Sequence, residues 1–100
     1  MKTPLPPWLE ALEEEGLQFL KRFVLHSGSL KALGDQYDVS YPTVRARLDR
    51  LIAKIQAADD PKITDAFQRR LQVLVADGQM PPGLARELWR AHRAALEEGK

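Results

Sequence analysis

The sequence contains no cysteine, and that absence removes disulfides, thiolate nucleophiles and every cysteine-based zinc site. Histidine is nearly as scarce. His26 and His92 are the only two, too few for a histidine-based metal centre, so no metal and no cofactor are expected. Long apolar runs are missing as well: none approaches the roughly 20 residues that a membrane-spanning helix needs. The start, Met1-Lys2-Thr3-Pro4-Leu5-Pro6-Pro7, has no apolar stretch of signal-peptide length. The expectation is a cytoplasmic protein with no membrane partner. Strand signals are absent too, since no segment sustains a period-two alternation of β-branched residues and no Asn-Gly or Asp-Gly hairpin turn occurs.

What is present is an ordinary globular balance, 44% hydrophobic and 29% charged residues in 100, which suits one small core rather than a disordered chain. The net charge of +1 conceals an uneven distribution. Residues 1–20 set Lys2 against Glu10, Glu13, Glu14 and Glu15. Residues 21–57 set Lys21, Arg22, Lys31, Arg45, Arg47, Arg50 and Lys54 against only Asp35, Asp38 and Asp49. Residues 58–100 are balanced. A polyanion would therefore meet the central third of the chain.

Helical periodicity recurs along the whole sequence. After the Pro-rich arm come Trp8, Leu9, Leu12, Leu17, Leu20, Phe23 and Val24, with Gly16 marking a break between a short lead-in helix and a longer one ending near His26. Ser27-Gly28-Ser29 stops that helix and caps the next, about Leu30 to Tyr37. Asp38 occupies a turn, Ser40 is the expected N-cap and Pro42 fits a first helical turn. Val44, Leu48, Leu51, Ile52 and Ile55 then mark one apolar face. Ala57-Ala58-Asp59-Asp60-Pro61 reads as a linker and as the acidic, Pro-led start of a helix carrying Ile63, Phe67, Leu71, Leu74 and Val75, which Gly78 ends. Met80-Pro81-Pro82-Gly83 turns the chain into a last helix with Leu84, Leu88, Trp89, Ala95 and Leu96. The fold class expected is all-α, five helices with the first one split. Residues 1–57 form an arm and a tri-helical helix-turn-helix domain, and residues 58–100 a two-helix hairpin.

The spacing between Ser29 and Leu48 carries the functional argument. Small Gly34 follows apolar Leu33, Asp38 lies in the turn, and Val39, Ser40 and Val44 follow in the order that two short helices at a steep angle require. On the second helix, Thr43, Arg47, Arg50 and Lys54 fall within about a 60° stripe, flanked by small Ala46 and Ala53. A helix entering a DNA major groove needs small residues for close approach and long cations for phosphates and guanine edges. Arg47 and Thr43, with Arg50 nearby, are the expected base readers. Arg45, Lys54 and Lys31 are the expected phosphate contacts, with Tyr41 flanking. This reading requires Arg47, Arg50 and Lys54 to be exposed and unpaired. Ion-paired or covered cations would instead favour a module that binds a sigma factor, RNA polymerase or another regulator without touching DNA.

From Leu5-Pro6 to Ile55, and above all over Val39-Ser-Tyr-Pro-Thr-Val-Arg-Ala-Arg-Leu-Asp-Arg-Leu-Ile52, the sequence resembles the helix-turn-helix part of an uncharacterised bacterial and archaeal family. The resemblance implies a fold similar to the DNA-binding regions of sigma factors and LuxR-type regulators, with bacterial transcriptional regulation as the expected role. Many members of that family carry a preceding zinc ribbon. With no cysteine here, neither the ribbon nor a zinc-dependent role is expected. The segment Leu71 to Leu88 is similar to short C-terminal hairpins of the SHOCT type. A lone hairpin cannot bury both of its apolar stripes. It is expected to pack on the first domain or on a second copy, giving a homodimer, with Phe67, Leu88 and Trp89 at the contact.

Catalysis is not expected. His26 beside Ser27 is adjacency along a helix end, where neighbouring side chains do not face each other, and neither histidine has the partners that nucleophilic catalysis needs. The Glu13-Glu14-Glu15 run reads as a solvated helix face.

Overall fold

The computed structural model describes residues 4–99, and among these the chain is all-α, with six helices and no strand. They are α1 (Pro7–Glu10), α2 (Glu13–Leu25), α3 (Leu30–Tyr37), α4 (Tyr41–Ala58), α5 (Ala66–Ala76) and α6 (Pro82–Glu98). Local chemistry sets most of the boundaries. Ser29, Ser40 and Asp65 each accept a hydrogen bond from the backbone N–H three residues on, and so cap α3, α4 and α5. Gly28 and Gly78 have φ of 80° and 75°, the left-handed values that end α2 and α5.

Two boundaries differ from the sequence reading. The break in the first helix falls at Ala11–Leu12, and Gly16 lies inside α2. A Cβ on Gly16 would lie 3.0 Å from the Leu12 Cβ and 3.5 Å from the Leu51 Cδ1. The glycine therefore serves close packing over the fully buried Leu12 and does not interrupt the helix. The acidic linker is not a helix start either. Ala58 is the last residue of α4 and is buried, and Asp60 instead accepts from the backbone N–H of Lys62 in a turn. α5 begins at Ala66, leaving Ile63 outside it.

One core joins α1 to α4 through Leu12, Phe19, Leu33, Val44 and Leu51, with Trp8, Leu20, Phe23 and Ile55 among the half-buried residues around it. α5 lies along α4, where Ala58, Leu71 and Val73 are buried. The hairpin is thus docked on the helix-turn-helix unit through α5. α6 packs on α5 and makes no comparable contact elsewhere. Extents of 54 × 39 × 20 Å follow from that overhang.

Candidate nucleic-acid interface

The angle between α3 and α4 is set by a short list of residues. Leu33 and Val44 are completely buried against each other's helices. Between them Gly34 is buried, its carbonyl accepts from the Val39 N–H at 2.9 Å, and an added Cβ would meet the Val39 carbonyl oxygen at 3.1 Å. Asp38 ends α3 with φ 56° and ψ 48°, a left-handed conformation that Asp tolerates because its short side chain is polar. Ser40 then opens α4, and its hydroxyl lies 2.9 Å from that of Thr43. Helix, turn and helix over residues 30–58 are as the spacing predicts.

The rotation of α4 about its own axis is not. Val44, Leu51, Lys54 and Ala58 are its buried residues, whereas Ile52, expected on the apolar face, is 39% exposed. The buried arc is centred nearer to Lys54 than the apolar spacing suggests because α5 covers that flank in addition to the α2–α3 side. Tyr41, Pro42, Arg45, Ala46, Asp49, Ile52 and Gln56 consequently form the outward arc, all of them exposed.

This rotation separates the proposed DNA-contacting residues. Lys31, Tyr41, Thr43, Arg45 and Arg50 are exposed. Arg45 pairs with Asp49 one turn on, at 3.2 Å, with both side chains more than half exposed. Arg50 has no ion pair among the described residues. Arg47 and Lys54, by contrast, do not meet the condition of being free. The Arg47 guanidinium lies 4.6 Å from the Tyr37 ring centroid and 5.4 Å from that of Phe19, and its Nη2 donates to Glu15 Oε1 at 3.0 Å. Arg22 adds a second cation over Tyr37, at 5.1 Å. These contacts bind α2, α3 and α4 together by cation–π attraction. Lys54 is the only buried charged residue among those described, its Nζ 3.6 Å from Asp77 Oδ1. Asp77 caps the C-terminal end of α5, where a carboxylate is disfavoured by the helix dipole, and it also accepts from the Gln79 side-chain amide. Lys54 therefore neutralises an awkward charge at the seam between α4 and the hairpin.

The acidic partners are what the sequence reading missed. Glu13, Glu14 and Glu15 are exposed, as the solvated-face reading expects, but Glu15 also reaches Arg47 and Glu13 lies 3.6 Å from Arg70 of α5. One signal was available for Arg47 and Lys54: on a helical wheel they lie only about 40–60° from Leu51. Nothing local marks Asp77. Together Glu15, Arg47, Arg50, Lys54 and Asp77 line a polar cleft of about 310 Å³ floored by Phe19 and Leu51. The two histidines are engaged elsewhere: His26 caps α2 with its Nε2 2.7 Å from Gln36 Oε1, and His92 lies against Phe67 at 4.4 Å between ring centroids.

A family model described as "Domain of unknown function (DUF2089)-HTH" matches residues 12–58, the span from the buried Leu12 to the end of α4. That match supports an uncharacterised family containing a helix-turn-helix. No curated protein matches the chain. No solved structure matches it.

Proposed function

We propose that this protein is a DNA-binding helix-turn-helix protein of bacterial transcriptional regulation, with α4 entering the major groove. The observation that carries the reading is the arrangement of α2, α3 and α4. It buries Leu33, Gly34 and Val44 at the crossing and leaves the outward arc of α4 uncovered by any other helix. Tyr41 and Arg45 lie on that arc near the helix start, with small Ala46 beside them, where side chains can reach base edges. Lys31 and Arg50 flank it as phosphate contacts, and Thr43 borders the cap. Arg45 is exchangeable between Asp49 and a phosphate or base, because an exposed pair one turn apart contributes only about 0.3–0.5 kcal/mol. Arg47 and Lys54 hold the frame and do not contact DNA in this reading. The protein acts by binding, without catalysis or cofactor, and a cytoplasmic location goes with a DNA target. No helix among the described residues is long and apolar enough to cross a membrane.

A second reading is favoured by one observation, the engagement of Arg47 and Lys54 in ion pairs. It leaves the exposed face of α4 close to neutral, which suits a protein partner such as RNA polymerase or a sigma factor. Fluorescence anisotropy with a mixed-sequence duplex at low and moderate salt separates the two. DNA binding predicts micromolar affinity that weakens steeply with salt and falls in Arg45→Ala/Arg50→Ala, while Arg47→Ala loses stability first. No binding at low salt by the folded protein refutes the DNA reading and transfers the outward arc of α4 to a protein partner.

A further inference from the structure

α6 carries two apolar stripes, and the fold uses only one of them. Ala85, Trp89 and His92 face α5, with Ala85 buried and the other two half-buried, His92 against Phe67. Leu84, Leu88, Ala91 and Ala95 form a second stripe with spacing of four, three and four residues, the repeat of a coiled-coil seam. All four are exposed, Leu84 at 44% and Leu88 at 37%. Around the helix the two stripes are displaced by about 100°. A helix at the corner of a four-helix bundle needs that displacement, because it touches two neighbours at roughly right angles. One neighbour, α5, is in place.

We propose that the second neighbour is α6 of another copy of this chain, packed antiparallel across a two-fold axis that passes between Leu88 and Ala91. The seam itself selects that occupant. It is wide at one end, with Leu84 and Leu88, and narrow at the other, with Ala91 and Ala95. Antiparallel pairing sets Leu84 against the partner's Ala95 and Leu88 against the partner's Ala91, so every layer combines one large and one small side chain. The two axes then keep one separation along the whole contact. Parallel pairing would stack leucine on leucine and alanine on alanine, demanding both ends of the roughly 8–10 Å range of helix separations within one contact. The contact is isologous and closes on itself. A seam about 17 Å long and about 10 Å wide covers a footprint on the order of 170 Å² per copy, well below the roughly 800 Å² per partner of a standard stable interface. The dimer is therefore reversible, dissociating in the micromolar range. This inference does not depend on the DNA reading, since the outward arc of α4 takes no part in it.

Sedimentation equilibrium of the full chain, from a few to a few hundred micromolar, tests the proposal. The expected result is a monomer–dimer equilibrium that Leu88→Glu and, separately, Ala91→Arg weaken at least about tenfold, with circular dichroism unchanged because both positions are exposed. The absence of cysteine allows a test of direction. Leu84→Cys and Ala95→Cys should each stay uncrosslinked alone under mild oxidation, and should give a disulfide-linked dimer when mixed. A monomer throughout the concentration range, a dimer indifferent to both charged substitutions, or self-crosslinking of either cysteine variant would overturn the proposal.

Discussion

Lys54 and Arg45 sit on the same helix and each faces a carboxylate, but their surroundings differ. The Lys54 side chain is 10% exposed and that of Asp77 17%, so each has given up most of its hydration for the other. Arg45 and Asp49 both remain in water. Removing one partner of a nearly buried pair leaves an uncompensated charge, whereas removing one partner of an exposed pair removes almost nothing. Lys54→Ala should accordingly lower the unfolding free energy by about 2–4 kcal/mol in urea titration, while Arg45→Ala should stay within about 0.5 kcal/mol of the parent. The double variant Lys54→Met/Asp77→Asn, which leaves no charge behind, should lose less than Lys54→Ala alone. A Lys54→Ala protein as stable as Arg45→Ala would mean that the pair does not hold the hairpin to α4. At this scale the sequence is a poor guide. Lys54 is one of several cations at helical spacing, and the carboxylate that makes it structural belongs to another helix, far along the chain.

The helices themselves were largely legible because their punctuation is local. Ser29, Asp38 and Ser40 act on backbone groups no more than a few residues away, and Gly34 shows its purpose by following Leu33 at the crossing. Gly16 and the Asp59-Asp60-Pro61 segment misled for the complementary reason. Gly16 serves a contact with Leu12 and Leu51, and Ala58 stays helical because α5 buries it, so tertiary packing overrides the local breaker signal. Gly34 gives the sharper test. In a solvated helix, glycine to alanine gains about 1 kcal/mol. Here the new Cβ meets a backbone carbonyl at 3.1 Å in a turn fixed on both sides, and overpacking of that kind costs about 1–3 kcal/mol. Gly34→Ala should therefore lower the melting temperature by a few degrees rather than raise it. Stabilisation would show that the α3–α4 crossing yields easily, and would weaken the case for a turn held rigid by Gly34 and Val39.

A radius of gyration of 16.5 Å exceeds the roughly 13 Å of a compact chain of 100 residues. The excess arises at one end, where α6 leans on α5 and the core of α1–α4 is out of its reach. Stability should follow the same gradient, since a segment opens locally at a cost set by the apolar contacts it must give up. Amides of α4 around Val44 and Leu51 should exchange only on global unfolding. Those of α6 should exchange through a smaller opening that breaks the contacts of Ala85, Trp89 and His92 and leaves the helix-turn-helix intact. Hydrogen exchange read helix by helix checks this, and the protein concentration adds a second axis. Partner binding suppresses every opening that releases the partner, global unfolding included, and leaves untouched the local openings that do not. If α6 pairs with a second copy, protection of α6 and of the globally exchanging core should rise across the micromolar range, while that of locally fraying amides such as the outward first turn of α4 stays constant. A rise that extends to those fraying amides would mean that association acts on the whole fold, and a slow-exchanging α6 at every concentration would mean that its contact with α5 already suffices.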